Sequence, residues 1–105
     1  MKRMKEIVEK YGEEYMLRQL AEECVELAQA ALKLIRARRK ETPTRESEAR
    51  ERFLEEVADV SVMVNALDET LLSVEELKYV CEMQDFKEKR MYERMLDGEM
   101  EEDVW

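Results

Sequence analysis

A chain of 105 residues with 27 acidic against 18 basic side chains, a net charge of −9 and no histidine rules out several chemistries at the outset. The surface has the wrong sign for a nucleic-acid-binding face. The lack of histidine removes Ser-His-Asp and Cys-His catalysis, His-ligated zinc and the Glu-x-x-His ligation of di-iron bundles. Two glycines, one proline, 43% charged and 45% apolar residues describe one amphipathic, all-α domain rather than a disordered chain.

Four helices are predicted. The first is short, from about Lys2 to Lys10, and stops near Gly12. Its start, Met1-Lys2-Arg3-Met4-Lys5-Glu6, is basic but passes into charged helix rather than an apolar core. No signal peptide is therefore read, and a cytoplasmic location is expected. No stretch is apolar enough for a membrane span. The second helix runs from about Glu14 to Arg39 and ends in the basic run Arg36, Arg38, Arg39 and Lys40, which suits the negative pole of a helix. Pro43 is expected to stop it, and Thr44 or Ser47 to cap the third.

The third helix is predicted over about Glu46 to Leu71. Ser73-Val74-Glu75-Glu76 then reads as a capping box for a fourth that reaches about Leu96, with Gly98 as its stop. Residues 1–98 form one domain on this reading. Residues 99–105 form an acidic tail whose Val104 and Trp105 could dock on a partner chain. Cys24 and Cys81 lack motif spacing and read as buried free thiols.

Two split sets of carboxylates stand out: Glu22-Glu23-x-x-Glu26 on the second helix and Glu56-x-x-Asp59 on the third. Carboxylates three residues apart share a helix face. At about 100° per residue, the apolar arc of the second helix is centred on Leu20, Leu27 and Ala31. Glu23 and Glu26 border that arc, and Glu22 points further out. The run from Val57 to Leu67 is apolar nearly all round and predicts a helix buried on most sides, yet it carries Asp59, with Glu56 one turn earlier. An isolated buried carboxylate is costly or takes up a proton. A hard divalent cation, magnesium or manganese, held by Glu23, Glu26, Glu56 and Asp59 removes that penalty. Asn65 lies on another stripe, as a hydrogen-bonded core amide or a substrate-pocket contact. Glu13-Glu14, Glu55, Glu75-Glu76 and Glu101-Glu102 read as solvated faces.

Leu20-Ala21-Glu22-Glu23-Cys24-Val25-Glu26-Leu27-Ala28, followed by Phe53-Leu54-Glu55-Glu56-Val57-Ala58-Asp59-Val60, resembles the EExxE…ExxD signature of the MazG-like nucleotide pyrophosphohydrolases, over roughly Glu14 to Leu96. The resemblance implies an antiparallel four-helix-bundle-type protomer whose core is completed by homo-oligomerisation, as a dimer or a dimer of dimers. It implies magnesium-dependent hydrolysis of a nucleoside triphosphate between its α and β phosphates, giving monophosphate and pyrophosphate for nucleotide-pool house-cleaning.

By position, Glu23, Glu26, Glu56 and Asp59 would hold magnesium, and Glu22 would orient water or a ligand. Lys87, Arg90 and Arg94, at i, i+3 and i+7 on the last helix, would contact phosphates. Tyr15, Gln19 and Asn65 are candidates for the base or sugar pocket. The Glu26-to-Glu56 gap is longer than the family's, which predicts an extended connecting loop. The competing reading is a non-catalytic, metal-binding helical bundle with an interaction or regulatory role.

Overall fold

The computed structural model of the chain describes residues 2–98, so the expectations for the tail at 99–105 lie outside the described residues. All regular structure there is helical: α1 (Lys2–Tyr11), α2 (Glu13–Arg38), α3 (Glu46–Thr70) and α4 (Val74–Leu96). None of these helices is long and apolar enough to cross a membrane. The chain divides between Leu71 and Leu72 into two compact units. The first contains α1, α2 and α3, which pack on one another; α4 belongs to the second.

Local chemistry sets the boundaries. Gly12 takes φ 89°, a conformation open to glycine. Its N–H donates to the Val8 carbonyl at 2.8 Å, closing α1, and its own carbonyl accepts from Met16 N–H at 3.3 Å, opening α2. The end of α2 departs from expectation, because the helix is finished before Pro43 is reached. Glu41 N–H donates to the Arg36 carbonyl at 2.9 Å and Lys40 N–H to that of Ala37 at 3.1 Å. This is a Schellman closure with Lys40, at φ 57°, in the left-handed position where glycine is usual.

The start of α3 departs as well. Its N-cap is Arg45, which makes no side-chain capping bond, so neither Thr44 nor Ser47 caps it. Glu46 and Glu48 in the first turn complement the helix pole instead, and Arg38 Nε donates to Glu46 Oε1 at 3.0 Å across the corner. The connection is only residues 39–45. The long separation of Glu26 from Glu56 is mostly helix, and the extended loop predicted for it is not found. The Ser73 capping box forms as expected: Glu76 N–H donates to Ser73 Oγ at 3.1 Å and Ser73 N–H to Glu76 Oε1 at 2.9 Å. Gly98, at φ 73°, follows the last residues of α4.

The core of the first unit is two apolar clusters. In one, Met16 from α2 meets Met63 and Ala66 from α3, with Met4, Val8, Leu20 and Leu71 packed around them. In the other, Leu34 and Ala37 meet Ala49, with Phe53 alongside. The start of α2 thus meets the end of α3 and the reverse, which makes the pair antiparallel.

Along α2 the inward positions are Met16, Leu20, Glu23, Leu27, Ala30, Leu34 and Ala37; along α3 they are Ala49, Phe53, Glu56, Val60 and Met63. Both follow the alternating three- and four-residue spacing of a helix-packing seam. Glu23 and Glu56 occupy seam positions between the two clusters.

Two expectations fail in this arrangement. The third helix is not buried on most sides: Leu54, Val57, Val62 and Val64 are 37–51% exposed, because α1 and α2 cover only one stripe of it. Cys24 and Cys81 are free, as expected, but exposed rather than buried, since each lies on a helix face that no described element covers.

Replacing Lys40 by glycine should relieve its left-handed backbone. The gain should exceed the added freedom of the unfolded chain and stabilise the protein by about 0.5–1 kcal/mol. A urea-unfolding midpoint that does not rise in Lys40→Gly would contradict that reading of the corner.

Candidate metal centre

The seam brings α2 and α3 together at the level where both carry carboxylates. Glu23, Glu56 and Asp59 each offer one carboxylate oxygen, and these oxygens all lie within 4.8 Å of one another. Glu56 is only 2% exposed, Glu23 is half-buried and Asp59 is exposed, so the group runs from the core to the surface. Glu26 is not one of the three convergent ligands. It is exposed, and its charge helps raise both Glu23 and Glu56. Glu22 is exposed, as its position on the helix predicts.

The electrostatics follow from this placement. Burial comes first, then the charges of Glu26, Asp59 and Glu56, in raising the Glu23 carboxyl above its ordinary 4.5. Glu56 is also raised, chiefly by burial. The Arg52 guanidinium opposes the shift, while Glu26 and Asp59 add to it. Arg52 Nη2 donates to Glu56 Oε1 at 2.9 Å, and Arg52 Nη1 lies 3.7 Å from Glu55 Oε2. The second oxygens of Glu56 and Glu23 are buried and lack a hydrogen-bond partner.

Buried acceptors are normally satisfied. Two orphaned carboxylate oxygens beside a third converging carboxylate form an all-oxygen, anionic donor set of the kind a hard divalent cation completes. The residues therefore fit magnesium or manganese, with Glu23, Glu56 and Asp59 as ligands and Glu26 at their edge.

Arg52 was not anticipated from the sequence. Its signal was present, however: it stands four residues before Glu56, the spacing of a helical ion pair. The other sequence-predicted residues are spread more widely. Tyr15 stacks on Tyr11 with ring centroids 4.9 Å apart. Gln19 is half-buried. Asn65 is exposed, which removes the core-amide alternative for it. Lys87, Arg90 and Arg94 are half-buried on α4, in the second unit. There the Arg90 guanidinium lies 5.7 Å from the centroid of the Phe86 ring, and Lys87 lines a hollow with Gln84, Glu88 and Met91. Within that basic run Lys89 pairs with Asp85 at 2.9 Å.

The chain has no significant match among protein-family models, curated proteins or solved structures.

The raised carboxyls link stability to pH. Between the ordinary value of 4.5 and the raised values, the folded state holds more protons at Glu23 and Glu56 than the unfolded state. Their contribution is thus full below the ordinary value and is lost as pH rises through the raised ones. Chelator-treated protein should lose melting temperature as pH climbs from about 4.5 towards neutrality. Glu56→Gln should flatten that slope, and millimolar magnesium or manganese at neutral pH should restore the wild-type melting temperature. Thermal melts of both proteins across this range check the expectation; an equally steep slope in Glu56→Gln would rule out the assigned cause.

Proposed function

We propose that this chain is a MazG-like, magnesium-dependent nucleoside triphosphate pyrophosphohydrolase, cleaving a ribo- or deoxynucleoside triphosphate between the α and β phosphates to the monophosphate and pyrophosphate. The observation that carries the reading is the convergence of Glu23, Glu56 and Asp59 on one point beside orphaned buried oxygens. It coincides with the two-part carboxylate signature on two long, antiparallel helices. The role proposed with this activity is nucleotide-pool house-cleaning.

In this reading Glu23, Glu56 and Asp59 hold magnesium, or manganese in its place, with Glu26 completing the set. When bound, the cation supplies Lewis-acid polarisation of phosphate oxygens and offsets the negative charge of an in-line displacement. Arg52 fixes the buried Glu56 carboxylate through its 2.9 Å contact, leaving the other oxygen for the cation. Glu22, at the exposed margin, orients the attacking water and draws its proton. Lys87, Arg90 and Arg94 take the charge of the departing pyrophosphate, with arginine suited to bidentate contact. Tyr15, Gln19 and Asn65 receive the base or sugar.

The assembly in this reading is a homodimer or a dimer of dimers. Support comes from the apolar side chains that the chain leaves open, among them Leu17, Leu32, Val57 and Val62, at 37–58% exposed. Exposed apolar side chains of this kind on a small helical chain are covered by association with a symmetric partner.

A panel of nucleoside triphosphates, assayed with and without magnesium and resolved for monophosphate, pyrophosphate and phosphate, tests the proposal. Wild type should release monophosphate and pyrophosphate only with the metal. Asp59→Ala and Glu56→Ala should lose at least about a thousandfold in turnover, the scale of removing charge stabilisation from such a site, with helical circular dichroism retained. Full magnesium-dependent turnover in Asp59→Ala would overturn the assignment.

A further inference from the structure

The corner where α2 hands over to α3 holds a cavity of about 330 Å³, lined by Lys33, Arg36, Thr42, Thr44, Glu48 and Arg52 among others. A smaller hollow of about 140 Å³ adjoins it, sharing Ala30, Lys33 and Arg52 and adding Glu26 and Gln29. The two lie side by side between Glu26 and the turn at 39–45, entirely within the first unit.

We propose that this corner cavity is a phosphate-binding site that takes a polyphosphate group. Lys33, Arg36 and Arg52 line the larger cavity with one carboxylate, Glu48; with Arg52 paired to Glu56, Lys33 and Arg36 outnumber it. That is a local reversal of sign on a chain whose net charge is −9. Neither Lys33 nor Arg36 makes an ion pair with another described residue, whereas Arg38 is paired with Glu46 and Arg18 with Glu14. The basic run at the end of α2 therefore divides in two: Arg38 ties down the corner, while Arg36 and Lys33 remain available to a ligand.

Two hydroxyls, Thr42 and Thr44, add donors from the turn. Guanidinium groups with hydroxyls beside them suit the multiple, strongly charged oxygens of phosphate better than a single carboxylate. Arg52 bridges the two regions, holding Glu56 on one side and lining the cavity on the other. The volume exceeds what one phosphate needs and admits two joined phosphates. The site requires neither a bound cation nor turnover, so it stands apart from the hydrolase reading above. Its ligand is either the distal phosphates of a nucleotide or free inorganic pyrophosphate.

The test is isothermal titration of the full-length protein with inorganic pyrophosphate in excess chelator, repeated for the Lys33→Gln/Arg36→Gln double variant and for Asp59→Asn. Wild type should bind, more weakly as salt rises. The double variant should lose roughly tenfold or more in affinity with its circular dichroism unchanged. Asp59→Asn should bind as wild type does.

No binding by wild type, wild-type affinity in the double variant, or loss of binding in Asp59→Asn would each overturn the proposal. A nucleoside triphosphate titrated the same way separates the sources. Tighter binding than pyrophosphate, lost in the double variant, identifies a nucleotide ligand; weaker or equal binding identifies pyrophosphate itself. Pyrophosphate binding without any triphosphate turnover would retain this site while removing the hydrolase reading.

Discussion

The arrangement of the first unit turns on one unfavourable placement: the Glu56 carboxylate, with Glu23 opposite, in a helix seam otherwise filled by apolar side chains. A carboxyl buried to 2% exposure gives up its hydration, and a structure tolerates that only when other groups replace the lost water. Arg52 replaces part of it at one oxygen. The other oxygen, with its counterpart on Glu23, is left without a protein donor. A stable core would use leucine at both positions, so the two carboxylates at this level weaken the apolar seam in exchange for a charged, convergent oxygen site.

That exchange shapes the packing around it. The acidic level divides the core into two small clusters, one anchored by Met16 and Ala66 and the other by Leu34, Ala37 and Ala49. Alanines flank this level on both sides, and carboxylates from the two helices come within 4.8 Å of one another. Because the two elements are long and antiparallel, the oxygens are held by rigid backbone rather than by loops, as a site demanding fixed geometry requires. The Schellman turn at Lys40 and the Arg38–Glu46 pair fix the register of that hairpin from its far end. The same turn walls the basic cavity, so one corner serves both stability and ligand chemistry.

Much of this was legible in the chain. Low glycine and proline content, the capping box at Ser73 and the glycine at position 12 locate the four helices within a residue or two, because helix starts and stops depend on local backbone chemistry. The nearness of Glu56 and Asp59 was legible because residues three apart share a helical face. Less accessible were the features that depend on which helices touch. Periodicity placed Glu23 at the border of an apolar arc, whereas the α2–α3 seam draws it inward and leaves Glu26 at the edge. The apolar run from Val57 to Leu67 suggested burial on most sides, but hydrophobicity records a preference for cover and not its presence; Val62 and Val64 are open.

The sequence by itself determined the helical class and, to within a residue or two, the element boundaries, since both depend on residue type and near-neighbour spacing. Tertiary structure alone decided which carboxylates converge and that Glu56 is the buried member. It alone also gathered Lys33, Arg36 and Arg52 around one cavity. These outcomes rest on the antiparallel register of α2 against α3, a long-range relation between residues some thirty positions apart that the spacing within either helix does not encode.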